Sequence, residues 1–292
     1  MFRKFKEKLY RTRHLVKLAR EDLEVLKGKL DRIEESVCAV DGPLAWSPLV
    51  FERWLKLWNC LKIRSLGPTG KERVGGDADG GYVIPADWKK TSTLYSLGIG
   101  PDNSFDIAFA RSGIQVEAYD PTISSLPEDH PKIRWIKSWV VPEPRPSRPE
   151  VSLGEILEKA PEDGSSALKV DIEGGEYPAI ISCPEASLGK LRFLVAEFHG
   201  VAEAVASGQT AALEIAWNRL SSRFDVVHVH ANNACGARIL GGALVPDMLE
   251  ITMVNRKIYS TLPSHESFPG PLDRPNLKDR AEIQIRPPVM ST

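Results

Sequence analysis

The chain has 292 residues, 42% of them hydrophobic and 26% charged, with a formal net charge of −1. This is the composition of an ordinary soluble globular protein, sized for one large domain with an appendage or for two small ones, and its balanced charge gives no reason to expect a nucleic-acid partner. Cys38, Cys60, Cys183 and Cys235 form no CxxC pair, no run reaches the roughly 18 apolar residues of a membrane span, and the N-terminus lacks a signal-peptide core, so no zinc site, disulfide framework or transmembrane anchor is expected and a cytoplasmic setting is.

Residues 2–37 carry a heptad repeat. Phe2, Leu9, Val16, Leu23, Leu30 and Val37 form one seam, and Phe5, Thr12, Ala19, Leu26 and Ile33 the other. The pattern predicts a coiled coil over residues 1–40, hence a homo-oligomer, with a helix packed on its own domain as the plainer alternative. The first twenty residues hold eight Lys or Arg against Glu7. That basic end suits weak contact with an anionic membrane surface, although a solvated helix face accounts for it as well. Asp41-Gly42-Pro43 ends the helix. A second helix is predicted over Pro48–Ile63, with Trp54, Leu57, Trp58 and Leu61 on one face. Asp79-Gly80-Gly81 then turns into a short strand, either as a bare hairpin or as a wall beside the next unit.

Thr93 to Asp120 is the most informative stretch. An apolar run ending at Leu97 enters a glycine turn at Gly98 and Gly100. A helix with Phe105, Ile107, Ala108 and Phe109 follows, and a second strand ends on Asp120. This is the first βαβ half of a nucleotide-binding sheet, where glycines admit a ligand close to the backbone and the acid takes ribose hydroxyls. The third glycine of the dinucleotide fingerprint would fall at Asn103. Its absence points away from NAD and towards an adenosyl ligand without phosphates, while a tight turn in any α/β sheet is the alternative.

Further strands are predicted over Ile133–Val141, Ala167–Asp171, Arg192–Phe198, Phe224–His230 and Leu249–Val254. Helices are predicted over Val151–Lys159, up to about Cys183, and through residues 202–222, with a proline-rich loop at Pro142–Pro149. Residues 41–262 are therefore expected to form an α/β domain, a Rossmann-like, mostly parallel sheet with an antiparallel strand near its edge. Residues 263–292 read as a proline-rich tail over the domain surface or partly mobile.

In such sheets ligands bind beyond the carboxyl ends of the strands. Those ends carry Gly98 and Gly100, then Asp120, then Ser138, then Asp171, Glu173 and Glu176, then His199, then His230 and Asn232. Any one polar residue there is unremarkable, since buried strands commonly end on one. Their coincidence along a single rim favours a site.

SLGIG with AYDP, then KVDIEGGEY, AEFHG and HVHANN, resembles the class I S-adenosylmethionine-dependent methyltransferases, and more narrowly the FkbM-like family, over about residues 70–260. Lys169–Tyr177 is the most specific piece. The resemblance implies that Gly98 and Gly100 lie against the methionyl part of the cofactor, with Ser96 also among the cofactor-binding residues. It implies that Asp120 holds the ribose, that Ser138 and Trp139 border the adenine, and that Asp171 sits near the cofactor amine and the reacting centre. The implied reaction is O-methylation of a sugar, polysaccharide or glycosylated natural product. Removing a hydroxyl proton suits a histidine. His199 is the preferred base, His230 and Asp171 are further catalytic candidates, and His228 is expected to be structural. Glu173, Asn232 and Asp79 are expected on the substrate side. Asp171, Glu173, His199 and His230 offer ligands for Mg²⁺ or Mn²⁺, without the tight motif that would assign one. Two other readings are a nucleotide-sugar or NAD-dependent oxidoreductase, opposed by Asn103, and a non-catalytic scaffold organised by the heptad helix.

Overall fold

The computed structural model describes residues 47–285, so the heptad segment and its expected coiled coil lie outside the described residues. Helix α1 (Pro48–Leu61) starts on a proline and buries Phe51, Trp54, Leu57 and Leu61, the three- and four-residue spacing of one helical face. Strand β1 (Arg64–Ser65) follows, then the hairpin of β2 (Lys71–Gly75) and β3 (Gly81–Pro85). The βαβ unit is β4 (Thr93–Leu97), α2 (Ser104–Arg111) and β5 (Gln115–Tyr119), followed by β6 (Ile133–Ile136), β7 (Trp139–Val140) and β8 (Glu150–Val151). Next come α3 (Leu153–Glu158), β9 (Ser166–Val170), α4 (Glu176–Ser182), α5 (Glu185–Leu188), β10 (Leu191–Phe198), α6 (Val201–Ser207) and α7 (Ala211–Ser221). The chain closes through β11 (Phe224–Ala231), β12 (Ala237–Leu240), β13 (Ala243–Pro246), β14 (Leu249–Asn255) and β15 (Leu262–Pro263).

The central sheet has seven strands in the order β11-β14-β10-β9-β4-β5-β6. Outward from β4 the order is that of a doubly wound nucleotide-binding sheet, and β14 runs antiparallel between β10 and β11. The expected antiparallel strand is thus present, one place in from the edge. Its direction follows from the connection: the β12–β13 hairpin returns the chain at the end of the sheet where β11 stops, so β14 must enter from there. Both faces of the sheet are covered. Leu94, Val116, Ala167, Phe193 and Val227 pack with Tyr82, Phe105 and Phe109 on one side. Leu97, Tyr119, Leu168, Leu194 and Phe198 pack with Trp54, Ile180 and Trp217 on the other. Burial on both faces is why these strands read as continuous apolar runs.

Two expected spans are corrected. The helix expected over residues 202–222 is two helices, because Gly208 at φ +80° ends α6 and its hydrogen side lies against the Arg53 guanidinium. The strand expected over Ile133–Val141 stops at Ile136, opposite the last residue of its one neighbour β5, and Trp139–Val140 leaves to pair with Glu150–Val151. The β12–β13 hairpin was not expected at all. Residues 263–285 lie on the domain, with Asp273, Asn276 and Glu282 bonded to β11 and β14. Among the described residues no helix is long and apolar enough to cross a membrane.

Candidate functional site

The turn after β4 is built by two glycines with different tasks. Gly98 has φ +82°, and a Cβ there would lie 1.6 Å from the carbonyl oxygen of Asp171. Its missing side chain therefore admits the backbone at the end of β9. Gly100 has φ +63° and nothing within 4 Å of its Cβ position, so this residue faces open space. Asp120 holds the turn in shape: its Oδ2 accepts from the N–H groups of Ile99 (2.9 Å) and Gly100 (3.0 Å), while Oδ1 accepts from the Thr122 N–H and hydroxyl. Burial works against its charge, but these four bonds outweigh it and hold the carboxyl below the usual carboxylate range. Asn103, where a dinucleotide site needs glycine, exchanges two hydrogen bonds with the backbone of Glu128 and ties down the loop after β5. The β2–β3 turn stands beside the start of α2, where Ser104 donates to the Gly80 carbonyl.

Under this turn lies a buried polar network. Lys169 donates to the Gly98 carbonyl (2.8 Å) and to Asp171 Oδ2 (3.3 Å), and the Tyr82 hydroxyl approaches the same oxygen at 3.4 Å. Burial opposes the Lys169 charge, yet Asp171 and the other nearby carboxyls raise its pKa. Asp171 is likewise pulled low, against its own burial, first by Lys169 and then by His199. The placement of β14 sets Glu250 directly across from both Glu197 and His230. Burial, then the charges of Asp171 and Glu250, push the Glu197 carboxyl well above its ordinary value. His230 sits between Glu250 Oε2 (3.1 Å) and Glu282 Oε2 (3.0 Å), and these partners raise it to about 9 despite burial.

The loop joining β9 to α4 folds around Glu176. This residue is wholly buried, and its Oε1 accepts from the N–H groups of Ile172 (2.9 Å) and Gly174 (3.1 Å). The same oxygen lies 3.1 Å from His199 Nδ1. A carboxylate oxygen is an acceptor, so Nδ1 carries a proton and, in the neutral ring, the lone pair belongs to Nε2. Nε2 is 3.4 Å from Glu173 Oε2, and one donor atom each from Asp171, Glu173 and His199 lie within 4.8 Å of one another. Glu173 holds a left-handed backbone at φ +55°, unusual for a residue with a side chain, and is 88% exposed. Burial works against the charge on His199, but the Glu176 bond and the charges of Glu176, Glu173 and Asp171 outweigh it and raise the imidazole above its usual value.

The structure therefore gathers Gly98, Gly100, Asp120, Asp171, Glu173 and His199 at one end of the sheet. It gives other expected residues different tasks. His230 has both ring nitrogens against carboxylates and is buried, so it has no lone pair for a proton from a substrate. Asn232 is buried, donating to Glu197 Oε1 (2.6 Å) and accepting from the Ala234 N–H, which ties its side chain into the buried network. Ser96 is fully buried within β4, beneath the turn. Asp79 is exposed at the hairpin turn and takes a bond from Asn276. Ser138 is buried just after β6, and Trp139 beside it is 53% exposed. His228 is structural as expected, bonded to Asp273 at 2.7 Å. Lys169, Glu197 and Glu250 were missed as members of the network. The signal was present: Lys169 and Glu250 are each the single charge of an apolar strand, and Glu197 shares its strand with one other charge, Arg192, and a buried charge costs folding energy unless paired.

No family model matches the chain, and no curated protein does. Among solved structures it is similar to a TehB-like SAM-dependent methyltransferase from Corynebacterium glutamicum, at 13% identity over 78% of this chain and 97% of that one, with a TM-score of 0.33. It is also similar to a candidate hemolysin from Streptococcus thermophilus (12% identity, 61% of this chain and 72% of that one, TM-score 0.33). A candidate RNA methyltransferase from Pyrococcus horikoshii overlaps at 9% identity over 74% of this chain and 98% of that one, with a TM-score of 0.30. Likeness this distant decides nothing about chemistry.

Proposed function

We propose that this chain is a class I, FkbM-like S-adenosylmethionine-dependent O-methyltransferase acting on a hydroxyl of a sugar, polysaccharide or glycosylated natural product. One observation carries the reading: the residue that packs into the glycine turn, Asp171, also stands beside His199, whose ring is fixed by Glu176 through Nδ1. A ligand site and a proton acceptor thus share one rim. The residues present fit a phosphate-free adenosyl cofactor. Gly100 opens onto free space, the exposed Trp139 offers a face for a purine, and Asp171 is an anion suited to an amine. Asp120 reaches a ribose only by giving up its Thr122 bonds, since its acceptor positions are otherwise filled. When bound, S-adenosylmethionine supplies an electrophilic methyl group. Within the protein, Glu176 fixes the ring of His199, and Nε2 takes the acceptor's proton as the oxygen is methylated. The heptad of residues 1–40 supports a homo-oligomer on sequence grounds.

The test is ligand-dependent unfolding of the full chain. Near-saturating S-adenosylmethionine, at about 100 times its Kd, adds about 2.7 kcal/mol. For a domain of this size that is a rise in Tm of roughly 5–10 °C. NADH is expected to leave Tm unchanged. No shift with S-adenosylmethionine, or a shift with NADH instead, overturns the proposal.

A further inference from the structure

We infer that Asp171, Glu173 and His199 form a binding site for one divalent cation, of a kind that suits Mn²⁺. The inference stands on three features. First, the donors converge: one oxygen from each carboxylate and a ring nitrogen lie within 4.8 Å of one another. In an octahedral site with bonds of about 2.1 Å, neighbouring ligand atoms stand about 3 Å apart. His199 Nε2 and Glu173 Oε2, at 3.4 Å, are already close to that, and the exposed Glu173 side chain is free to close the remainder.

Second, the histidine is oriented from behind. A histidine metal ligand characteristically gives its other N–H to a carboxylate, which sets the tautomer and the ring plane. Glu176 does this here. It is buried, anchored by two backbone N–H groups, and sits on Nδ1, leaving Nε2 on the side of Glu173. Nothing in an ordinary surface ion pair requires such an anchor. Third, the loop supplying Glu173 holds a left-handed backbone at that residue, which brings its carboxylate over His199.

The donor set selects the ion class. Two carboxylates and a neutral imidazole balance a charge of +2, and hard oxygen donors mixed with one nitrogen suit Mn²⁺ better than an all-oxygen Ca²⁺ cage or a thiolate zinc site. Three protein ligands leave about three octahedral positions for water or for oxygens of an acceptor. His230 is excluded as a fourth ligand because both its nitrogens are engaged by Glu250 and Glu282.

Ion binding stands independently of the proposed methyl transfer; only the use made of the ion rests on that reading. With a cation present, the Nε2 lone pair is a ligand rather than a base. A bound cation would acidify a hydroxyl coordinated there, and the proton would then pass to solvent water in place of His199.

The experiment is Mn²⁺ titration of the chelator-stripped full chain, followed by electron paramagnetic resonance. One bound Mn²⁺ per chain is expected, with a nitrogen coupling from one imidazole. Glu173→Gln, a surface change that does not threaten the fold, is expected to weaken binding at least about 10-fold, and His199→Asn to abolish the nitrogen coupling. Glu176→Gln is expected to weaken binding about 10- to 100-fold while both carboxylate ligands remain. Absence of stoichiometric Mn²⁺, or binding indifferent to Glu173→Gln, overturns the site. S-adenosylmethionine binding is measured on the same samples. If that ligand binds and Mn²⁺ does not, only the ion site falls. If Mn²⁺ binds with the nitrogen coupling and S-adenosylmethionine does not, the ion site stands and the methyl-donor reading falls.

Discussion

Lys169 is the residue on which the rim depends most directly, because its one ammonium bridges the glycine turn and the carboxylate of Asp171. Its side chain is 7% exposed, so the charge is tolerated only through these partners. Replacing it with methionine keeps the volume and removes the charge. Asp171 is then left without its main counter-charge, although its partial exposure lets water compensate in part. A loss of about 2–3 kcal/mol in urea unfolding is expected, at the low end for breaking one side of a buried pair. Adding Asp171→Asn to that variant removes the stranded carboxylate and is expected to recover some of the loss. A single-variant loss below about 0.5 kcal/mol, or no recovery in the double variant, shows that the pair does not hold the turn.

At the scale of elements, the two glycines of the β4–α2 turn separate folding from binding. Gly98→Ala places a methyl group on the backbone of Asp171, and backbone cannot rotate aside as a side chain would. The end of β9 must shift, and a loss of more than about 4 kcal/mol or failure to fold is expected. Gly100→Ala meets no atom, so it carries only the left-handed backbone strain of about 1–2 kcal/mol. It is expected to fold with Tm lowered by a few degrees and to lose ligand affinity, measured by calorimetry with S-adenosylmethionine. Equal stability losses at the two positions contradict this division. The same turn shows what was legible from sequence and what was not. The strands could be read because a sheet buried on both faces demands unbroken apolar runs, and the strand-end rule located Asp171 and His199. The insertion of β14 could not be read, because strand order is decided by contacts between distant segments. With it went Glu250, and so the true setting of His230 and Asn232. Their partners Glu250, Glu282 and Glu197 are 20, 52 and 35 residues away in sequence. The short β12–β13 hairpin escaped because Ile239 and Leu244 are apolar yet exposed, which blurs the alternation that marks a strand.

For the whole molecule, the buried network makes stability depend on alkaline pH in a predictable direction. His230 has a folded pKa of about 9 against an ordinary value of 6.5. A group raised on folding stabilises fully below its unfolded pKa and loses that contribution as pH rises through the folded one. The window is therefore pH 6.5 to 9, and the difference corresponds to about 3 kcal/mol. Other groups contribute differently across it. Asp120, Asp171 and Asp273 are lowered on folding, so their contributions are lost only in acid and stay flat here. His228, lowered chiefly by burial, is also flat above pH 7. Glu197 and His199 are raised, so any slope from them has the same sign as that of His230. The wild-type profile alone therefore does not isolate His230, and the comparison must be with His230→Gln. That variant keeps a hydrogen-bonding side chain between Glu250 and Glu282 but carries no charge to lose. Wild type is expected to lose about 3 kcal/mol more than His230→Gln between pH 6.5 and 9.5 in urea unfolding, with the two profiles converging at the alkaline end. Parallel profiles mean that His230 is neutral in the folded protein. In that case Glu250 and Glu282 do not hold it charged, and the C-terminal segment carrying Glu282 is attached by other contacts, with Asp273 and Asn276 the first to examine.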